Sequence, residues 1–171
     1  EASGVTVIVG EGTELTTYGG AAIQCNGNTV GLEVVVKGKV VSVGNHAMYL
    51  PQVKLCTIEA NAEITGVTGV EIRGGKITAN GTFKAEANGN GSTVNGAAIA
   101  VAPHSTDLDI NVTVGGGEFA GAYAIYEFNS QAVRNGTTTI VINGGEFDAP
   151  VYCENCTVTG GVTVNNTYVK Q

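Results

Sequence analysis

The sequence predicts an all-β fold: a right-handed, single-stranded parallel β-helix of about six coils, each built from three short strands. Three observations predict it. The composition favours strands over helices, an apolar column recurs at intervals of 22 to 29 residues, and a glycine-marked frame interleaves with that column.

Composition comes first. With 171 residues, 43% hydrophobic and 13% charged, the chain can bury a core and reads as one domain spanning residues 1–171. Its apolar residues are mostly Val, Ile and Ala, with Thr frequent among the polar ones, and Val, Ile and Thr suit a pleated surface. Helix-forming runs of Leu, Glu, Lys and Ala are missing, and 26 glycines supply turns. The net charge of −7 and scattered basic residues give no footprint for nucleic acid, and no apolar run is long enough for membrane insertion. The chain lacks an initiator Met and a leader pattern, which reads as a processed product or a piece of a longer chain.

The column is carried by six segments: "GAAIQC", "HAMYLP", "GVEIR", "GAAIAV", "AYAIYE" and "PVYCEN". One position from each gives Ile23, Met48, Val70, Ile99, Ile125 and Val151, separated by 25, 22, 29, 26 and 26 residues. Two places on stand Cys25, Leu50, Ile72, Val101, Glu127 and Cys153, so period-2 alternation stays in register, with Glu127 as the exception. In the second frame, Val114, Ile142 and Val158 are followed by a glycine pair and then Phe119, Phe147 or Thr163; "RGGKI" at 73–77 is a looser copy. Runs such as "LEVVV" and "TTTIVI" fill the space between, giving about three strands per repeat with Asn-Gly or Gly-Gly turns. A β-sandwich also uses short strands, but it needs hairpins and gives no reason for a column that returns once per coil.

The strings "TGVEIRGGKITANGTF", "NGAAIAVAPHST", "INVTVGGGEFAGAYAIYE" and "VYCENCTVTGG" resemble β-helical repeats of large surface proteins from gut Firmicutes and of fibre-like phage proteins. The similarity runs from about residue 40 onward. It implies an extracellular module, displayed on a cell surface or virion, and carries no catalytic motif or cofactor to transfer.

The register also predicts a binding face. If the Ile23 column points inward, Gln24, Tyr49, Glu71, Ala100, Tyr126 and Tyr152 point outward, beside the small residues Ala22, Ala47, Gly69, Ala98, Ala124 and Pro150. That is a flat face with tyrosines at its lower and upper rungs, suited to a sugar ring or to a second subunit. The plainer reading is that tyrosine is a good strand residue that packs on its rung neighbours.

The remaining polar residues suggest little chemistry. All four cysteines fall on inward positions and are expected as buried thiols, with Cys153–Cys156 the pairing to expect if a disulfide forms. "CENC" has no second ligand pair, so no metal site is expected. His46 and His104 read as solvated turn or strand-edge residues. The acids Asp107 and Asp109 alternate onto one side of a strand, and Glu118 and Glu146 stack as like charges in successive "GGEF" motifs. These four are the cation-like or enzyme-like candidates; a lyase or glycoside hydrolase would need clustered acids with a nearby base, and Arg134 is far along the chain. Six sequons, at Asn80, Asn90, Asn111, Asn135, Asn155 and Asn165, matter only in a secretory pathway that reads them. The sequence therefore favours a non-catalytic structural and adhesive module that self-associates or contacts glycans, and expects uncapped rod ends to pair with neighbours.

Overall fold

The computed structural model describes residues 4–27, 31–86, 96–103, 107–128, 135–160, 162–164 and 169–170, and the described residues form strands and turns only. His104, Arg134, Asn90 and Asn165 lie outside them. Three parallel sheets of seven strands each wrap a single core, and the chain visits the sheets in strict rotation. This is the right-handed parallel β-helix, the handedness that parallel crossovers take. The first sheet stacks Thr6–Val9, Glu33–Val36, Val53–Ile58, Gly75–Ala79, Ile110–Val114, Thr138–Ile142 and Cys156–Val158. The second stacks Glu14–Thr17, Lys39–Ser42, Glu63–Gly66, Thr82–Ala85, Glu118–Ala120, Gly145–Phe147 and Val162–Val164. In the third are Ile23–Gln24, His46–Leu50, Thr68–Ile72, Ala97–Val101, Tyr123–Glu127, Val151–Cys153 and Val169–Lys170.

The apolar column forms one ladder. Ile23, Met48, Val70, Ile99, Ile125 and Val151 pair rung to rung without a slip, and all six are buried. Hydrophobic burial drives this stacking, since each coil covers the apolar faces of the coil below. The first rung shows the effect by contrast. Val7 and Leu15 remain 37% and 38% exposed, whereas Val34 and Val40, their partners one rung on, have no exposure. In the second sheet Phe83, Phe119 and Phe147 stack in register with centroids 4.9 Å apart at both steps.

The glycine frame needs two corrections. "RGGKI" is no copy of the "GGEF" turn: Gly75 and Ile77 belong to the first sheet and pair with Val53 and Val112, while the "GGEF" motifs enter the second sheet. Gly75 is nonetheless obligatory, because its φ is +101° and a Cβ there would collide with the Val53 carbonyl oxygen. In the last repeat Val164, not Thr163, pairs with Phe147, and Thr163 pairs with Glu146. The turn after Val158 holds one residue more than the turn after Ile142, so equal spacing in sequence becomes a one-residue slip in register.

The small-residue file also turns out differently. Ala47, Ala98 and Ala124 are fully buried members of the main core, not outward neighbours of the tyrosines. The five-residue third-sheet strands turn two consecutive residues inward near their start, as with Ala47 and Met48, Ala98 and Ile99, or Ala124 and Ile125. A Cβ on Gly69, at the same place, would run into the Ala98 carbonyl oxygen, so only small side chains fit this file. The outward positions are therefore three residues apart rather than two.

Cysteines keep their inward positions but not all their thiols. Cys153 ends a third-sheet strand and Cys156 begins a first-sheet strand, and they form a disulfide with Cα atoms 5.8 Å apart. The corner between the sheets brings both inward side chains together, so the pair expected as buried thiols is oxidised. Cys25 and Cys56 are buried free thiols. Burial pushes the Cys56 thiol up to about 12. Glu127, the exception in its column, sits next to Val101 and is buried. Its carboxylate accepts hydrogen bonds from the backbone N–H groups of Glu154 and Asn155 at 2.8 and 2.9 Å and from Asn155 Nδ2 at 2.6 Å. A carboxylate in an apolar file thus finds its partners in the disulfide-closed turn one coil on.

Candidate functional site: an outer face in two patches

In the four five-residue strands of the third sheet the outward residues occupy positions i and i+3, flanking the inward pair. His46 and Tyr49, Thr68 and Glu71, Ala97 and Ala100, and Tyr123 and Tyr126 make these couples. Stacked in register, Tyr49, Glu71, Ala100, Tyr126 and Tyr152 form one outer file. The file follows the expected register, but it is not evenly open. Gln24 is exposed and the three tyrosines are half-buried, while Glu71 and Ala100 in the middle have no exposure. The face therefore divides into two patches, with Tyr49 and Tyr126 three rungs apart, or about 14 Å by the usual strand spacing.

The upper patch is aromatic. Tyr126 and Tyr152 stack nearly parallel, with centroids 4.8 Å apart and planes 17° from each other. Tyr123 meets Tyr126 edge-on at 4.7 Å, and Phe128 lies 6.5 Å from Tyr126. Tyr123 and Tyr126 rest on Ala97 and Ala100, whose methyl side chains let the rings lie close to the sheet. Burial raises the Tyr126 hydroxyl above its ordinary value, and the neighbouring Tyr152 and Tyr123 hydroxyls add to the shift. Sequence reasoning missed Tyr123 and Phe128. Strict alternation from Tyr126 puts Tyr123 on the inner side, and only the i, i+3 recurrence would have recovered it.

The lower patch centres on a buried carboxylate. Glu71 was expected outside with the tyrosines, and it does lie on the outer file, but it is sealed from solvent by ion pairing. His46 Nε2 lies 2.6 Å from Oε2, and Arg73 Nε donates to Oε1 at 2.5 Å. Nor is His46 a solvated turn residue. It begins a strand, is 5% exposed, and its Nδ1 lies 2.8 Å from Asn45 Oδ1, which also accepts the His46 backbone N–H at 2.8 Å. A buried charge must be paired, and here two cationic or donor side chains meet one carboxylate. Arg73 and His46 in turn hold Tyr49: the guanidinium carbon is 5.1 Å from the ring centroid, and the imidazole centroid is 5.5 Å away. Burial raises the Tyr49 hydroxyl, and the Arg73 charge partly offsets this. Beside Tyr49 an open depression is bounded by Gln24, Cys25, Asn26, Gly27 and Pro51. The Cys25 thiol donates to the Gln52 carbonyl oxygen at 2.9 Å, and burial raises its pKa.

The acids do not converge. Glu118 and Glu146 stack as expected, both exposed on the outer side of the second sheet, with Thr82 below and Thr163 above in register. Asp107 and Asp109 lie elsewhere, in the approach to a first-sheet strand, and serve the next coil. Asp107 accepts from Asn135 Nδ2 at 2.9 Å, and Asp109 accepts from the Thr137 N–H and hydroxyl at 2.7 and 2.9 Å. Like Glu127, they tie the turns of adjacent coils together. Among the described residues no three His, Cys, Asp or Glu side chains gather as a metal-binding group. Lys37, Lys39 and Lys54 pair with Glu59, Glu63 and Glu33 on neighbouring rungs.

No family model, curated protein or solved structure matches the chain.

Proposed function

We propose that this chain is a non-catalytic β-helix module, displayed on a bacterial surface or a virion, that adheres to neutral glycans through its upper aromatic patch. The observation that carries the reading is the parallel Tyr126–Tyr152 pair with Tyr123 edge-on, half-open on a sheet face. Fixed rings of this kind offer apolar platforms to the C–H faces of sugars while their hydroxyls stay in water. A net charge of −7 favours neutral over acidic glycans. Acids that pin one coil to the next are spoken for as structural partners, which supports the non-catalytic part. The uncovered Val7 and Leu15 support a second contact, with the coils of a neighbour or of a second copy.

A glycan array probed with the wild type and with Tyr126→Ala/Tyr152→Ala tests adhesion, and sedimentation velocity across a concentration series tests association. The expected result is neutral-glycan binding lost in the double variant, with species larger than a monomer at high concentration. Glycan turnover abolished by Glu118→Gln or Glu146→Gln would replace this reading with a carbohydrate-active enzyme on the same scaffold.

A further inference from the structure

We infer that the depression beside Tyr49 is a second, separately built saccharide subsite, in which Tyr49 is the wall and the Gln24 and Asn26 amides are the hydroxyl-recognising groups. The inference rests on the proposed glycan-adhesive function and adds a site of different construction.

Three observations lead to it. The first concerns the buried network. Burying Glu71 against His46 and Arg73 takes charges out of water, and well-packed apolar residues would stabilise the rung as well or better. Stability alone therefore does not account for the cluster. Its geometric effect is to hold one ring, since the guanidinium carbon lies over Tyr49 and the imidazole packs against the same ring at a tilt of 51°. A ring immobilised before binding loses no rotamer freedom on binding, which is how a small contact gains affinity.

The second observation is the lining. Gln24 and Asn26 are exposed and border the depression, Cys25 between them turns inward, and Pro51 and Gly27 complete a low rim. Each amide carries both donors and an acceptor, so it matches a hydroxyl in either sense. Among the described residues no ionic side chain lines the depression, and Arg73 donates to Glu71. That combination selects neutral over charged ligands.

The third is openness. The described residues leave the depression open, and an apolar ligand there would gain little from burial. A pyranose suits it better. One C–H face covers Tyr49, the edge hydroxyls meet the amides, and the remaining hydroxyls stay hydrated. Glu71 and Arg73 act here as positioning residues, because they touch the ring and not the sugar.

The test uses tyrosine-labelled protein, NMR, and chitotetraose, cellotetraose and mannotetraose as neutral probes, with tetragalacturonate as the acidic control. At least one neutral probe should shift the Tyr49 ring signals, and tetragalacturonate should leave them in place. Gln24→Ala and Asn26→Ala alter exposed side chains, and each should weaken binding at Tyr49 about tenfold, the loss of one good hydrogen bond. The Tyr126 and Tyr152 shifts should be unchanged in these variants. Arg73→Lys keeps the charge but loses the guanidinium over the ring, and should broaden the Tyr49 ring signals in the free protein while weakening the same binding. Shifts confined to Tyr126 and Tyr152 would overturn the subsite and leave the adhesive function standing. Silence of all tyrosines with every neutral probe would overturn both. Tyr49 shifts that persist undiminished in Gln24→Ala and Asn26→Ala would overturn the assignment of the amides and with it the subsite.

Discussion

Glu71→Ala is the most informative single change to the lower patch. Glu71 has no exposure, and its two oxygens receive His46 at 2.6 Å and Arg73 at 2.5 Å. His46 is itself 5% exposed, so water cannot replace the lost carboxylate at little cost. Removing one member of a buried ionic group leaves the others uncompensated, which costs about 3–5 kcal/mol. Against a typical domain stability of about 5–15 kcal/mol, that is a large fraction. The triple variant His46→Leu/Glu71→Leu/Arg73→Met removes these three ionisable side chains together and should fall within about 1 kcal/mol of the wild type or exceed it. Urea unfolding followed by far-UV circular dichroism, fitted with one m value for all variants, gives both numbers. The two variants are expected to differ by about 2 kcal/mol or more, with the single change the worse. A loss below about 1 kcal/mol for Glu71→Ala would show that the pairing is not what holds the rung. Equal losses for the single and triple variants would show that the side-chain volume, and not the uncompensated charge, sets the cost.

Without reductant the denatured protein should expose two titratable thiols, Cys25 and Cys56, and four after reduction; four before reduction would deny the Cys153–Cys156 bond. In native protein Cys56 should resist alkylation at pH 8, because burial raises it from 9.0 to about 12. Its folded value is the higher one, so the stability from keeping it neutral is whole below pH 9.0 and drains away as pH rises towards about 12. Reducing the disulfide opens a loop of only four residues, 153 to 156, and should cost about 2 kcal/mol in the chain-entropy account. In the inner ladder, Ile125→Asp should cost several kcal/mol because it places an unpaired carboxylate in a fully buried position. Tyr126→Ala should cost about 1–2 kcal/mol, the loss of its ring contacts. Equal losses in thermal melts would reverse the assignment of inner and outer faces.

What the sequence determined by itself was the periodic part of this molecule. A β-coil must present an apolar residue to the interior at the same place on every turn, so Ile23 through Val151 announce themselves, and with them the parallel stacking and the buried ladder. The same logic placed Tyr126 over Tyr152 and Glu118 over Glu146, because register along one sheet is inherited from the column beside it. The tertiary structure decided what happens where periodicity breaks. At the start of the third-sheet strands two neighbours turn inward together, which takes Ala98 and Ala124 inside and puts Tyr123 outside with Tyr126. At the corner after Cys153 two inward columns converge, which makes a disulfide of two expected thiols. Across rungs, residues 25 positions apart become neighbours, so the Glu71 that alternation sent to solvent is sealed by His46 from the coil below. Alternation reports the direction of a side chain from its own backbone. What lies at the end of that direction belongs to other coils, and only the closed fold supplies it.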